Sequence, residues 1–284
     1  MEVVLGIGDI GCAIVDNFKK QEEFEVYKIN KKTRGNRSLS LKEQDTLADY
    51  EEAILKKANK VKEMFDDIEE SDCVTVFISG ADKISGSALV ALELVKLRTE
   101  NIEVVCVSPD KEFLNEEKKK NNAFVSGVLQ EFARSGMIKM THLIDLNKVE
   151  EILGDVPLAE YEQRLYELIA STFSMIKFYS NSDPLLDNRA QVKDISRIAT
   201  YGISSFKNKV QEDLFYKLVD PTEKVYYYGM SKKELENDGK LLRKIKTHVK
   251  SLEDKKVALS FAVFETSYDQ NMVICQSFSD KVQN

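Results

Sequence analysis

Histidine, proline and cysteine are scarce in this chain. Two histidines, His142 and His248, and four cysteines, Cys12, Cys73, Cys106 and Cys275, are spread over 284 residues with no C-x-x-C pair. That spacing excludes the usual zinc-site patterns. Three of the cysteines lie in or beside apolar runs, so they read as buried, reduced thiols. Four prolines and twelve glycines leave no room for long disordered linkers. No window reaches the roughly 18 apolar residues of a membrane helix. The opening MEVVLGIGDIG has neither a basic n-region nor an apolar run of signal-peptide length. The expectation is a cytoplasmic protein with no membrane partner. Cationic surplus is also missing: the formal net charge is −7, which argues against broad, sequence-independent nucleic-acid binding. What remains is ordinary for a globular chain, 43% hydrophobic and 31% charged, with length for one large or two modest domains.

Strand and helix patterns alternate through the first half. Apolar runs predict strands over 3–5, 24–30, 74–78, 102–107 and 141–145. Helical spacing covers about 12–20, 45–71, 87–97 and 124–135, with loops over 31–41 and 108–122. Apolar strands between helices predict a parallel sheet covered on both faces, with ligands at the carboxyl ends of the strands. The second half reads differently. One long helix is expected over 159–179, about 30 Å at 1.5 Å per residue. A short helix over 191–199, a strand over 224–228, helices around 232–251 and strands over 257–265 and 272–278 follow. Tyr226, Tyr227 and Tyr228 are expected on a strand with alternate rings buried and exposed. The division expected is a Rossmann-like domain over 1–158, a central helix over 159–180 and a smaller α+β domain over 181–284.

LGIGDIGCAIVDNF places G-x-G-x-x-G between a strand and a helix, with Gly6, Gly8 and Gly11 as its glycines. Such a turn lets backbone approach a phosphate closely, and the helix N-terminus supplies unpaired N–H groups and a positive dipole end. The alternative is a structural turn. A dinucleotide site would place an acid at the end of the second strand. Here Asn30 stands there, followed by Lys31 and Lys32, which disfavours NAD and leaves NADP as a lesser alternative.

The order of these features resembles the tubulin/FtsZ superfamily, especially its short phage and plasmid members. Carrying the resemblance are the glycine turn after the first strand, Asn30 ending the second, and VFISGADKISGSALVALELVKL where the family has its GGGTGTG loop and helix. IEVVCVSPDKEFLNEEKKKNNAF and THLIDLNKVEEIL resemble the next two strand–loop segments, and a long helix and smaller domain follow. The resemblance covers most of the chain as an order of elements, with its motifs only partly kept. It implies an α/β fold: a Rossmann-like, doubly wound, mostly parallel sheet with a long central helix and a smaller α+β domain. It implies a cytoskeletal-type, filament-forming protein that binds GTP or GDP with magnesium and associates head to tail with copies of itself, with a protein adaptor as a further partner. For a phage-encoded chain the compartment would be the host cytoplasm.

Carried over residue by residue, the resemblance implies that Gly6, Gly8, Asp9, Ile10, Gly11, Cys12, Asn30, Gly80, Ser85, Gly86 and Ser87 face the nucleotide. Glu116 or Glu117 with Lys120 would stand near the ribose and phosphates, the alternative being a solvated charged loop, and Tyr161 would stack on the base. Within GADKISGS, Asp82, Lys83 and Ile84 break the pattern: Asp82 repels phosphate unless it turns away or holds a metal, and Lys83 could offset it. The base-recognising Asn early in the central helix is missing, with Gln163 or Arg164 nearby instead. The family's catalytic acids fall in DPLLDNRAQVKDISRIA, where Gln191 and Asp194 are the candidates and Asp187 lies near. At most one carboxylate survives by position, so GTPase activity is expected to be weak or absent. A nucleotide-free scaffold descended from the family is the main alternative. KKTRGNRSL concentrates Lys31, Lys32, Arg34 and Arg37, suited to clamping phosphates, to meeting an acidic partner, or simply to forming a solvated loop. SDKVQN after Phe278 is shorter than the acidic tail that several phage relatives use, so any filament is expected to rest on domain faces.

Overall fold

The apolar runs of the first half become the buried strands of one sheet. The computed structural model describes residues 1–205, 211–252, 256–267 and 270–283. It divides into two units, Met1–Ala170 with Val282–Asn284, and Ser171–Lys281.

The first unit carries β1 (Glu2–Ile7), α1 (Gly8–Val15), β2 (Phe24–Asn30), β3 (Ser38–Ser40), α2 (Leu47–Leu55), α3 (Ala58–Met64) and β4 (Cys73–Ile78). After them come α4 (Ser87–Lys96), β5 (Ile102–Ser108), α5 (Glu116–Ser135), β6 (Met140–Asp145) and α6 (Leu146–Leu153). The sheet order is β3-β2-β1-β4-β5-β6, and every pair in it is parallel. Val4, Leu5, Val74, Phe77, Val104 and Val105 are wholly buried, as expected of strands covered on both faces. Strand ends β1 and β4 sit side by side, with Ile7 opposite Ile78, so the loops that follow them are neighbours.

Several elements depart from the sequence reading. α1 starts at Gly8 rather than near residue 12, so Gly8 and Gly11 lie inside its first turns. Residues 45–71 form two helices, α2 capped by the Thr46 hydroxyl accepting the Asp49 N–H at 3.1 Å, and α3 after a break at Lys56 and Lys57. The charged segment before residue 124 is largely helix: Asn115 caps α5 by accepting the Lys118 N–H at 2.9 Å, and Gly136, at φ +78°, ends it. Asp145 likewise caps α6 by accepting the Asn147 N–H at 3.0 Å, where a loop is expected from the resemblance.

α7 (Tyr161–Ser180) is the long helix, and the division between the units falls within it. The second unit then holds β7 (Leu186–Asp187), β8 (Ile198–Ser205), β9 (Gln211–Leu214), β10 (Glu223–Ser231), α8 (Lys232–Asn237), α9 (Leu241–Ser251), β11 (Ala258–Thr266) and β12 (Met272–Ser279). Its strands run β8-β12-β10-β11-β7, with β9 paired to β8; β10 and β11 are parallel and the other pairs antiparallel.

The helix expected over 191–199 is absent, and Ile198 instead begins β8. The reason lies in a distant residue. Buried Glu223 accepts the Lys193 N–H at 3.2 Å and the Ser196 hydroxyl at 3.4 Å, holding the segment open. All three tyrosines of β10 are buried, against the expected alternation. Tyr228 bonds His248 Nδ1 at 2.6 Å and Tyr226 bonds Glu212 on one face, while Tyr227 donates to Gln276 at 2.8 Å on the other. Both faces of this sheet are covered, so neither set of rings reaches water. The cysteines are free thiols, buried except for half-buried Cys73.

Candidate functional site

The β1–α1 turn is built by close packing. A methyl added at Gly11 would lie 2.1 Å from the Phe77 carbonyl oxygen, and one at Gly6 would lie 2.7 Å from the Gly11 carbonyl oxygen. Only glycine lets α1 lie this near β4. Gly8 differs, because its φ of +78° is left-handed and costs a side-chain-bearing residue strain. A methyl on Gly8 would meet Ile84 at 2.9 Å and the Asp82 carboxylate oxygen at 3.3 Å.

That carboxylate decides the chemistry of the turn. Asp82 comes from the loop after β4 and reaches across to the start of α1, where the Asp9 backbone N–H supports its charged form. The first N–H groups of a helix favour an anion, and the chain's own Asp82 carboxylate lies beside the start of α1. Burial and the Asp9 carboxylate raise the Asp82 pKa above the usual carboxylate range, against the opposing pull of Lys118 and Lys31. Asp9 itself is exposed; it accepts from the Asn30 amide at 2.9 Å and lies 4.0 Å from Lys31. Asn30 also accepts the Lys31 N–H at 2.7 Å, so the residue ending β2 is tied into the site's own network.

The loop Gly80–Ser87 also turns inward. The Ser85 hydroxyl donates to the Gly80 carbonyl at 3.4 Å and the Ser87 hydroxyl to the Ile84 carbonyl at 2.7 Å, both buried. Gly86 packs on α2, where a methyl would lie 2.0 Å from the Leu47 carbonyl oxygen, and Gly80 packs on Asn122 of α5. Cys12 donates to the Gly6 carbonyl at 3.3 Å, and burial pushes its thiol up to about 12. Ile10 is half-buried beside it. Lys83 is drawn away to Glu117 at 3.0 Å.

Farther out, the expected residues separate. Glu116 pairs with Lys119 at 3.1 Å within α5, and Lys120 is exposed. Tyr161 is drawn to α6: burial and a hydrogen bond to Glu150 push its phenol up to about 12. Tyr166, a little over one turn later on α7, stands nearer the turn. Burial, then Glu162, Asp82 and Asp9, push its phenol up to about 12. Sequence reasoning missed it; its spacing from Tyr161 on the helix was the available signal.

Gln191 and Asp194 lie exposed in the second unit, on the segment between β7 and β8. The Asp194 carboxylate has no ion pair among the described residues. Asp187 is neutralised by Arg189 at 2.8 Å, a hydrogen-bonded pair that lowers its pKa. The segment is pinned by Asn188, which accepts the Phe261 N–H at 2.7 Å, and by Glu223. Among the described residues, no group of three or more His, Cys, Asp or Glu side chains is placed to hold a metal ion, and no helix is long and apolar enough to cross a membrane.

Comparison of the whole chain with solved structures gives matches along nearly its full length. CetZ from Methanosaeta thermophila superimposes at a TM-score of 0.72 with 14% identity, over 98% of this chain and 86% of that one. The empty FtsZ dimer of M. jannaschii gives 0.72 and 16%, over 98% and 88%. The chain has the tubulin/FtsZ fold. TubZ of Bacillus thuringiensis serovar israelensis, in its GTPγS-form protofilament, gives 0.70 and 11%, over 99% and 87%. No family model and no curated protein matches the sequence.

Proposed function

We propose that this chain is a tubulin-like cytoskeletal protein of the cytoplasm that associates head to tail with copies of itself and whose response to nucleotide is blunted. A guanine nucleotide, GTP or GDP, reaches the β1–α1 turn only by displacing Asp82, so binding is weak and turnover weak or absent. The observation that carries this reading is the Asp82 carboxylate over Gly8, backed by the Asp9 amide. A triphosphate fits poorly against two carboxylates, Asp82 and Asp9, beside the start of α1. The serine hydroxyls of the loop are spent on its own carbonyls and do not offset that repulsion.

Self-association is supported by the relatives of this fold, among them a TubZ protofilament and an FtsZ dimer. Exposed apolar side chains supply surface for it: Phe113 and Leu158 on the first unit, and Leu185 and Ile195 on the second. A head-to-tail contact pairs unlike faces and propagates into a filament. Slow turnover follows from the second unit, where Asp194 is the single unpaired carboxylate on the Gln191–Asp194 segment. Phosphate release from GTP, measured while assembly is followed by light scattering, is expected to stay at the no-protein background. Release that climbs with assembly would overturn this reading.

A further inference from the structure

A polar cleft opens at the β2–β3 edge of the sheet, with no residue of the β1–α1 turn or of the loop after β4 in its lining. It has a volume of about 880 Å³ and is lined by β2, the turn between β2 and β3, the end of the turn after α1, and α3. Five cationic side chains face it, Lys19, Lys28, Lys32, Arg34 and Arg37, against two acidic ones, Glu63 and Asp67. The whole chain is acidic, at −7, so this concentration runs against the average.

Not all of these cations are neutralised by their neighbours. Lys19 and Lys28 share one carboxylate, Asp16. Lys32 and Arg34 are exposed and have no acidic partner among the described residues. Arg37 is engaged by Glu25 at 2.8 Å and by Asp67 at 3.8 Å, and lies 5.4 Å from the centre of the Tyr27 ring, so it shapes the wall while Lys32 and Arg34 carry the free charge. The Thr33 hydroxyl is buried in the same wall without a hydrogen-bond partner among the described residues. Such an atom is costly unless a ligand or water meets it. Gly35, at φ +123°, turns the chain around the cleft, with only the Ser38 hydroxyl, at 3.8 Å, near an added methyl.

We propose that this cleft binds a compact phosphorylated anion, held by Lys32 and Arg34 with the Lys19–Lys28 pair at its base and the Thr33 hydroxyl in its wall. The volume is that of a small-molecule site. Val26 and Met64 are its only large apolar lining, too little to hold an apolar peptide or a buried base. Converging ammonium and guanidinium groups suit phosphate oxygens, which accept several charge-assisted hydrogen bonds at once. The site stands apart from Asp82, so it holds whether or not the β1–α1 turn takes nucleotide.

The experiment is calorimetric titration of the full chain with tripolyphosphate, with GTP as a parallel arm. Tripolyphosphate is expected to bind one to one, more weakly as salt is raised. In the double variant Lys32→Ala with Arg34→Ala the affinity falls about tenfold or more. The charge-keeping pair Lys32→Arg with Arg34→Lys restores most of it. A matching tenfold loss for GTP identifies the phosphates of a nucleotide as a source; a loss confined to tripolyphosphate points to a free oligophosphate. No binding, binding unaltered in the double alanine variant, or equal binding of an oligoglutamate peptide would overturn the proposal.

Discussion

Asp82→Ser binds GTP about tenfold to a hundredfold more tightly than the natural chain. Hydrogen bonds from neutral donors to a charged group contribute about 1.5–3 kcal/mol each, and the variant frees the Asp9 N–H for such a bond while removing a like charge. The pH dependence should show the same cause. The folded-state pKa of Asp82 is raised, by burial first and then by Asp9, so its ionised form costs stability above that pKa. As pH falls through it, the carboxyl becomes neutral, the cost fades, and the repulsion of phosphate goes with it. GTP binding by the natural chain therefore tightens as pH is lowered from neutral, relative to the Asp82→Ser variant measured beside it. Calorimetry of both proteins across that range checks both effects. Weaker binding in the variant would mean the opposite role, a carboxylate holding magnesium against the phosphates.

Gly11→Ala should cost about 3 kcal/mol, at the upper end of overpacking penalties. The midpoint of thermal unfolding then falls by roughly 6–12 °C. The clash is with the backbone carbonyl of Phe77 at 2.1 Å, which no rotamer change relieves. Gly127 on α5 has nothing within 4 Å of an added methyl and serves as the control: Gly127→Ala should be neutral or raise stability by up to about 1 kcal/mol. A cold Gly11→Ala variant that still unfolds at the natural midpoint would show that α1 can move off β4. The comparison also separates packing from ligand binding. Gly11→Asp would lose nucleotide binding through the fold alone, so Asp82 is the better residue at which to test the site.

Much of this was legible in the sequence. The apolar runs marked the five central parallel strands, because strands buried on both faces need continuous apolar residues. Asp82 stood out as wrong for a phosphate loop. What the sequence could not supply was where that carboxylate goes, because its partners, Gly8 and the Asp9 amide, are more than seventy residues earlier in the chain. The glycines were equally ambiguous. Gly11, Gly80 and Gly86 look like a cradle in sequence, yet each meets a neighbouring backbone, at Phe77, Asn122 and Leu47. Residues 191–199 carry helical spacing, and Glu223, from β10, overrides it by capturing Lys193 and Ser196. Tyr166 carries no motif of its own, and Tyr161 already fills the place that the resemblance gives to a stacking ring. In each case a local preference was decided by a tertiary partner that spacing does not reveal.

The most direct test of the account is assembly of nucleotide-stripped protein. The purified chain is freed of small molecules, and its sedimentation and filament content are followed over a range of protein concentrations, with and without GTP and magnesium. The account predicts concentration-dependent filaments without nucleotide, with a threshold that GTP does not shift. A chain that stays monomeric until GTP is added, and then polymerises, would contradict it.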